Sequence, residues 1–491
     1  MATSMRLEST KQTIERLWSL QGLELPLHAT KKLELTGPDD PVVPSSFRIG
    51  TVAQAAIACS ALSSAYVHQL RHGPDESQTV TVNSRHAVLD FKSESWVTLD
   101  GNLTPDIWDP LAGVYKTKDG HVRIHTNFPH HRDIILSTLN LPIRPVPSRD
   151  QVAKAFESWS SQDFEDAATQ AGGCVSKIRS FDEWDAHPHA IHSAGKPPLV
   201  LTKTGETPLW KVSTKPGDMP LSGVRVLDLT RVIAGPVCGR TLAAHGADVI
   251  WVTSPNLPDL PALDIDTSRG KRTIQLDLNN ELDLATFRSL LKDADVLLQS
   301  YRPGALAGRG FGPETLAKEY PGIITANLSA YGTDGPWGGR RGFDSLVQAA
   351  TGFNIAEASA FNNSQESSIR ALPVQALDHA AGHLLTLGIN AALARRIKAS
   401  GSWNVQVSLI GVSYWVRSLG RLASAFQGGE IPARSTPQAP EIEGLLIDVP
   451  TEHGQLRALR HAAEMSETPV RVGVAPHGLN SSQPRWLPRE D

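Results

Sequence analysis

Cysteine is scarce: Cys59, Cys174 and Cys238 are the only three in 491 residues. They are odd in number and far apart. That pattern offers neither a disulfide framework nor zinc-ligand spacing, and it predicts a reducing compartment. Charge of one sign is also lacking. The net charge is −4, small for this length, and no strongly basic stretch suggests a nucleic-acid partner. Any anionic ligand must therefore meet a local basic patch. No apolar run is expected to reach membrane-spanning length. The first twenty or so residues lack the apolar core of a signal peptide, and Glu8 and Glu15 argue against a transit peptide. They read instead as a short amphipathic helix. The expectation is a cytoplasmic protein without membrane or nucleic-acid partners, with mitochondria and peroxisomes left open.

A chain of 491 residues holds two or three domains or one large intertwined unit. Residues 1–44 read as a helix and connector. Residues 45–108 carry a helix-like run and then an alternating stretch, QTVTVN. Residues 109–195 read as a small α+β domain, with a hairpin around Lys118, Asp119 and Gly120 and a helix from Gln151 to Gln170. Residues 196–220, rich in Pro, Gly, Lys and Thr, read as a linker. Residues 426–491 read as a mostly irregular tail with one helix near Gly454 to Met465.

Between them, residues 221–425 carry a strong α/β pattern. Strands are predicted at Val224–Leu229, Ala247–Val252, Arg272–Leu278, Asp295–Ser300 and Gly322–Ser329, with helices between. Such alternation implies a doubly wound, Rossmann-like parallel sheet beside the smaller α+β domain. Ligands of these sheets bind at the carboxyl ends of the strands. Arg231–Pro236, Thr253–Lys271 and Ser300–Arg309 should therefore surround one crevice. Arg231, Gly235 and Gly239 do not form a G-x-G-x-x-G fingerprint, which disfavours a dinucleotide.

The stretch Leu372–Arg396 concentrates the chemical interest. Pro373 resists helix, and Asp378 stands where a helix apolar nearly all round should begin. One reading makes Asp378 an N-cap, accepting from free backbone N–H groups. The other makes it a nucleophile, kept ionised by those same groups beside a pocket for an activated acyl group. His379 is adjacent but points elsewhere, which favours a structural role. His121, His125, His130 and His131 form a cluster, but on a predicted hairpin their spacing does not favour a metal. A weak repeat is also present. Setting Val82 against Val407 sets Arg71 against Arg396 and Ala53 against Asp378, and each copy reads helix, basic turn, strand, helix. The first copy has the scaffold without the acid.

The chain resembles family III CoA-transferases of the CaiB/BaiF type, a family that also includes α-methylacyl-CoA racemases. The segments that carry the resemblance are Leu221–Val252, Ser268–Leu278, Leu297–Leu316, Ser329–Gly352 and the opening stretch with Asp378. Trp108–Asp133 is similar to the small domain that follows the nucleotide-binding half in ordinary members, so the halves look permuted and one chain could hold a complete unit. The resemblance implies an interlocked homodimer. It implies that CoA moves from an acyl-CoA to a small carboxylic acid through aspartyl–acyl anhydride and aspartyl–CoA intermediates on Asp378. Acyl-CoA is then a substrate, and no resident cofactor or metal is expected.

CoA carries phosphates, so basic side chains at strand ends are candidates to bind it: Arg231, Lys271, Arg272, Arg302, Arg309 and Arg341. Lys271 and Arg341 match family positions near CoA. Val232, Ile233, Ala234, Ser300 and Tyr301 match the loops that cradle adenine and pantetheine. Three departures stand out. Phe343 or a neighbour replaces the racemase histidine, which favours transfer over α-proton exchange. The glycine-rich loop of formyl-CoA-type transferases reads LDGNLTPDI here, with only Gly101. Thr253 replaces the acid usual after the second strand. The alternatives are a 2-methylacyl-CoA racemase or epimerase, and a CoA-binding protein with impaired turnover.

Overall fold

A computed structural model describes residues 7–75, 77–210, 215, 217–361, 369–423, 428–432, 439–451, 454–470 and 478–489. The alternating pattern builds a seven-stranded sheet. Its strands are β1 (Leu199–Gly205), β2 (Arg225–Leu229), β3 (Asp248–Thr253), β4 (Lys271–Gln275), β5 (Val296–Gln299), β6 (Ile324–Ser329) and β7 (Ser402–Ser408), in the order β4-β3-β2-β5-β6-β7-β1. Strands β2 to β7 run parallel, and β1 closes the edge antiparallel to β7. Val226, Leu227, Val296, Leu298 and Ile324 are buried, as expected of strands covered on both faces. The order reverses at β2. Chain leaving β2 and β5 diverges there and opens a crevice at their carboxyl ends.

The expected linker 196–220 is corrected in part, because it contains β1. Leu199 and Leu201 point into the core from this edge strand. Residues 211–214 and 216 lie outside the described residues.

Four helices matter most: α1 (Ile49–His72), α2 (Ala234–Ala244), α3 (Asp344–Ala350) and α4 (Ala376–Ala399). Helices α1 and α4 are each 24 residues long and pack side by side, with α2 also against α4. Their shared interface is partly polar. Asn390 Nδ2 donates to Ser63 Oγ at 3.0 Å and Ser64 Oγ at 2.9 Å. The expectation that no apolar run is of membrane-spanning length is corrected by α1, whose mean hydropathy reaches 1.2. Its apolar window is wholly buried, which makes it a core helix. The repeat is visible in the element order. A strand (Val80–Asn83) and a helix (Ser84–Asp90) follow α1, while β7 and a helix (Leu409–Ser418) follow α4. The first copy's strand joins a separate sheet, between Leu33–Thr36 and Ala463–Met465.

The smaller unit is a three-stranded sheet, Gly113–Lys116, His121–Ile124 and Val175–Lys177, packed with helices. Its expected helix from Gln151 to Gln170 is two helices, Arg149–Phe156 and Ser161–Gln170, because Ser160 caps a new start by accepting from the Asp163 N–H. The helix expected near Gly454–Met465 is corrected to strands. Leu446–Thr451 and Gly454–Leu459 pair as a hairpin, with Leu456 and Ala458 buried on one side.

Candidate functional site

Asp378 is the third residue of α4, not its cap. Gln375 precedes the helix, and its side chain caps nothing. The free donors of the first turn go to a different acid. Asp344 Oδ2 accepts from Leu377 N at 2.8 Å and from Asp378 N at 2.9 Å. Asp344 opens α3 and is fully buried. Gln348, one turn on, donates to Asp344 Oδ1, and its own Oε1 accepts from Leu372 N at 3.0 Å. This acid–amide pair clamps both ends of the segment that carries Asp378.

The electrostatics follow from that arrangement. Burial, then the Asp344 charge, then Glu94 push the Asp378 carboxyl well above its ordinary range. Burial pushes Asp344 up to about 6, opposed by its hydrogen bonds from the Asp378 N–H, Gln348 and the Leu377 N–H. The expectation that helix N–H groups hold Asp378 ionised is therefore corrected: those groups serve Asp344. Glu94 comes from the first half of the chain. Its Oε2 lies 3.7 Å from His379 Nε2, and the His379 ring stacks on Phe91. His379 is thus built into the packing behind Asp378.

In front of Asp378 lies a cleft of about 350 Å³ at the carboxyl ends of the strands. Arg231, Val232, Ile233 and Ala234 follow β2, and Ser300, Tyr301 and Arg302 follow β5. Arg341 and Phe343 close another side, and Phe128, His130 and His131 reach in from the smaller unit. Val232 holds a φ of +75°, a strained value for a β-branched residue, and it sits on the cleft wall. Arg231 N donates to Ser300 Oγ at 3.2 Å, tying the two loops, and its guanidinium lies 4.8 Å over the Phe128 ring.

Three expected CoA contacts do not face this cleft. Lys271 is wholly buried, with Nζ 2.8 Å from Asp228 Oδ2 and 3.0 Å from the Pro236 carbonyl. Gly239 leaves room for that pair, since a Cβ there would lie 2.1 Å from Asp228 Oδ2. Arg272 pairs with Asp248, 2.7 Å from its Oδ1. Arg309 donates to Asn279 Oδ1 at 2.7 Å and to the Leu278 carbonyl at 3.2 Å. A basic residue near a strand end satisfies its charge with whatever acid the sheet places beside it, and spacing along the chain does not show which.

A second, smaller chamber of about 20 Å³ also meets Asp378. Val232, Ile233, Phe343, Ile107, Trp108, His125 and Ser345 are among the residues that line it. The His125 ring stacks on Phe343 with centroids 3.7 Å apart, and burial drives its pKa down to about 3. The segment LDGNL is a hairpin, Thr98–Leu99 against Asn102–Leu103, with Gly101 at its tip at φ +75°. The chain beyond it brings Ile107 and Trp108 to the chamber. Among the described residues no group of three or more His, Cys, Asp or Glu side chains is placed to hold a metal ion. Asp344, Ser345 and Glu94 belong to the site but were not expected there. The signal for Asp344 was an acid heading a short helix that is otherwise uncharged.

Residues 221–444 match the family model described as CoA-transferase family III. The match covers a little under half of the chain and makes this segment similar to that family. Over 207 residues it is 35% identical to a probable fatty acyl-CoA transferase of Mycobacterium tuberculosis, covering 40% of this chain and 51% of that protein. The chain therefore spans about half the length of that relative. A longer match, 27% identical over 448 residues, is to an acetyl-coenzyme A transferase of Hypoxylon pulicicidum, covering 79% of this chain and 72% of that one. The α-methylacyl-CoA racemase of Mus musculus is 33% identical over 197 residues, covering 40% and 50%. The match to the crystal structure of the mycobacterial relative covers 41% of this chain and 57% of that one, at 34% identity and a TM-score of 0.38. In this chain the matched segment supplies Asp378 and most of the cleft, and residues before it supply the rest.

Proposed function

We propose that this protein transfers CoA from an acyl-CoA thioester to a carboxylic acid, with Asp378 as the nucleophile. One observation carries the reading: Asp378 stands where a large cleft flanked by Arg231, Arg302 and Arg341 meets a small chamber. The cleft suits a long anionic carrier, with those arginines as donors to phosphate, and the chamber suits the reacting end of the acyl group. The Asp378 carboxylate attacks the thioester carbon and CoA leaves as thiolate, giving an aspartyl–acyl anhydride. The thiolate then attacks the aspartyl carbonyl, forming an aspartyl–CoA thioester and freeing the acid. An acceptor acid is activated by the same steps in reverse. The 3-2-1-4-5-6 order of the six parallel strands supports a Rossmann-like reading of the sheet. Because the first half brings Phe128, His130 and His131 to the cleft, one chain holds both parts of the site, which agrees with a permuted order of halves.

One observation also bears on racemisation: His125 lies in the chamber with Asp378. Burial holds its pKa near 3, which makes it too weak a base to take an α-proton efficiently. Transfer is therefore the better reading. The test is intact mass after incubation with a panel of acyl-CoAs and hydroxylamine. A hydroxamate that maps to Asp378, and is absent in Asp378→Asn, is the expected result. No adduct with any donor, while CoA still binds, would overturn the proposal.

A further inference from the structure

We propose that Ser345 and His125 bind the carbonyl oxygen of the acyl group in the small chamber beside Asp378, as donors to the oxyanion of the transition state. The inference rests on the transferase reading above. Attack by a carboxylate turns a thioester carbonyl into an oxyanion, and preorganised donors in a closed site stabilise it. The donors nearest in sequence, the N–H groups of Leu377 and Asp378, are already committed to Asp344. Other donors must serve.

The chamber offers two. Its volume of about 20 Å³ is close to the space of a single water, so it has room for one oxygen-sized group. Ser345 and His125 line it together with Asp378 and are 3% and 4% exposed. Neither Ser345 Oγ nor His125 Nδ1 has a hydrogen-bond partner among the described residues. Buried polar atoms without partners are rare, and they call for a ligand, a catalytic role or a bound water. Both groups are held firmly. Ser345 sits in the first turn of α3, beside the Asp344 that ties α3 to α4. His125 donates its backbone N–H to the Cys174 carbonyl at 2.9 Å, and its ring stacks on Phe343. In its Nδ1–H tautomer the neutral imidazole donates to that oxygen without adding charge.

The step balances as follows. An Asp378 oxygen forms a bond to the thioester carbon, and the carbonyl π pair moves onto the carbonyl oxygen. Ser345 O–H and His125 Nδ1–H donate hydrogen bonds to that oxygen, and no proton is transferred. The pair then returns to re-form C=O, the C–S bond breaks, and CoA leaves as thiolate with the bonding electrons.

The experiment compares the wild type with Ser345→Ala, Ser345→Thr and His125→Phe. It follows the single-turnover rate of Asp378 hydroxamate formation and the affinity for CoA by calorimetry. Ser345→Ala should slow trapping about 100-fold, as loss of one oxyanion donor does, with CoA affinity unchanged. Ser345→Thr keeps the hydroxyl and should retain most of the rate. His125→Phe keeps a ring stacked on Phe343, removes the donor and should also slow trapping. Wild-type rates in both Ser345→Ala and His125→Phe would overturn the inference and leave the chamber to an ordered water. Loss of CoA affinity in step with the rate would assign both side chains a structural role and overturn it equally. No hydroxamate on the wild type with any donor would overturn the transferase reading itself, and this inference with it.

Discussion

Asp378 and Asp344 share one buried corner, and their unequal hydrogen bonding separates them. Asp344 accepts from two backbone N–H groups and from Gln348. The Asp378 carboxylate accepts from none of the described residues and feels Asp344 and Glu94 as like charges. On raising the pH, Asp344 gives up its proton first and Asp378 holds on longer. The proposed attack needs the Asp378 carboxylate, so kcat/KM should rise with pH along a limb displaced above the ordinary carboxylate range of about 4. Asp344→Asn removes the nearest like charge and keeps an oxygen for the two N–H groups, so the limb should move to lower pH. A pH–rate profile of wild type and variant checks this, and an unmoved limb would refute it. Stability has its own sign. Both carboxyls are raised in the folded state, so their contribution is present below about pH 4 and lost as pH rises, for Asp344 through about 6. Thermal melts should show Asp344→Asn gaining on the wild type as the pH is raised past that value.

At the scale of elements, α4 places Asp378 because it fits closely against the start of α2. Gly382, one turn beyond Asp378, makes that approach possible. A Cβ there would lie 2.6 Å from the Ala234 carbonyl and 2.9 Å from the Val237 side chain. Gly382→Ala should therefore cost about 1–3 kcal/mol through overpacking, as crowded core substitutions do. It should also reduce turnover, because Ala234 and Asp378 both line the cleft. Denaturant midpoints and kcat measured together check this; a stable and fully active variant would refute it. The helix pair α1 and α4 shows why a repeat can lose its acid and still be kept. The first copy supplies packing and the Ser60, Ser63 and Ser64 hydroxyls to α4, and Glu94 to the site.

Across the whole molecule, a buried ionic network joins the first half to the segment that matches the family model. Arg240 donates to Asp90 Oδ1 at 3.2 Å and to Ser93 Oγ at 2.9 Å. It also meets Asp266 Oδ2 at 2.5 Å, and Arg269 completes the cluster with Nη2 2.8 Å from Asp266 Oδ1. Burial alone would raise Asp90, but Arg240, with His461 and His383, outweighs it and holds the carboxyl below its usual range. Arg240→Met strands the buried Asp90 carboxylate, leaves Asp266 with Arg269 alone, and should destabilise by about 3–5 kcal/mol at neutral pH. The loss should shrink near pH 4, where the stranded group takes up a proton. Chemical denaturation at both pH values is the measurement, and a loss independent of pH would refute the charge argument.

Much of the frame was readable from the chain. Buried strands alternating with helices are local patterns, so the parallel sheet, the loops at its carboxyl ends and the position of Asp378 at a helix start followed from periodicity alone. Seven of the proposed CoA contacts, Arg231–Ala234 and Ser300–Arg302, line the cleft because they follow strands, and Arg341 lines it from just before α3. Lys271 reaches across the sheet to Asp228 instead, because a buried amine takes the nearest buried acid. The strand hairpin at Leu446–Leu459 escaped prediction because its pairing is set by neighbours rather than by its own period. Tertiary structure alone decided which acid would take the helix N–H groups, and it chose Asp344. It alone brought His125 and Ser345 to one chamber, since two side chains from distant parts of a chain meet only where packing puts them.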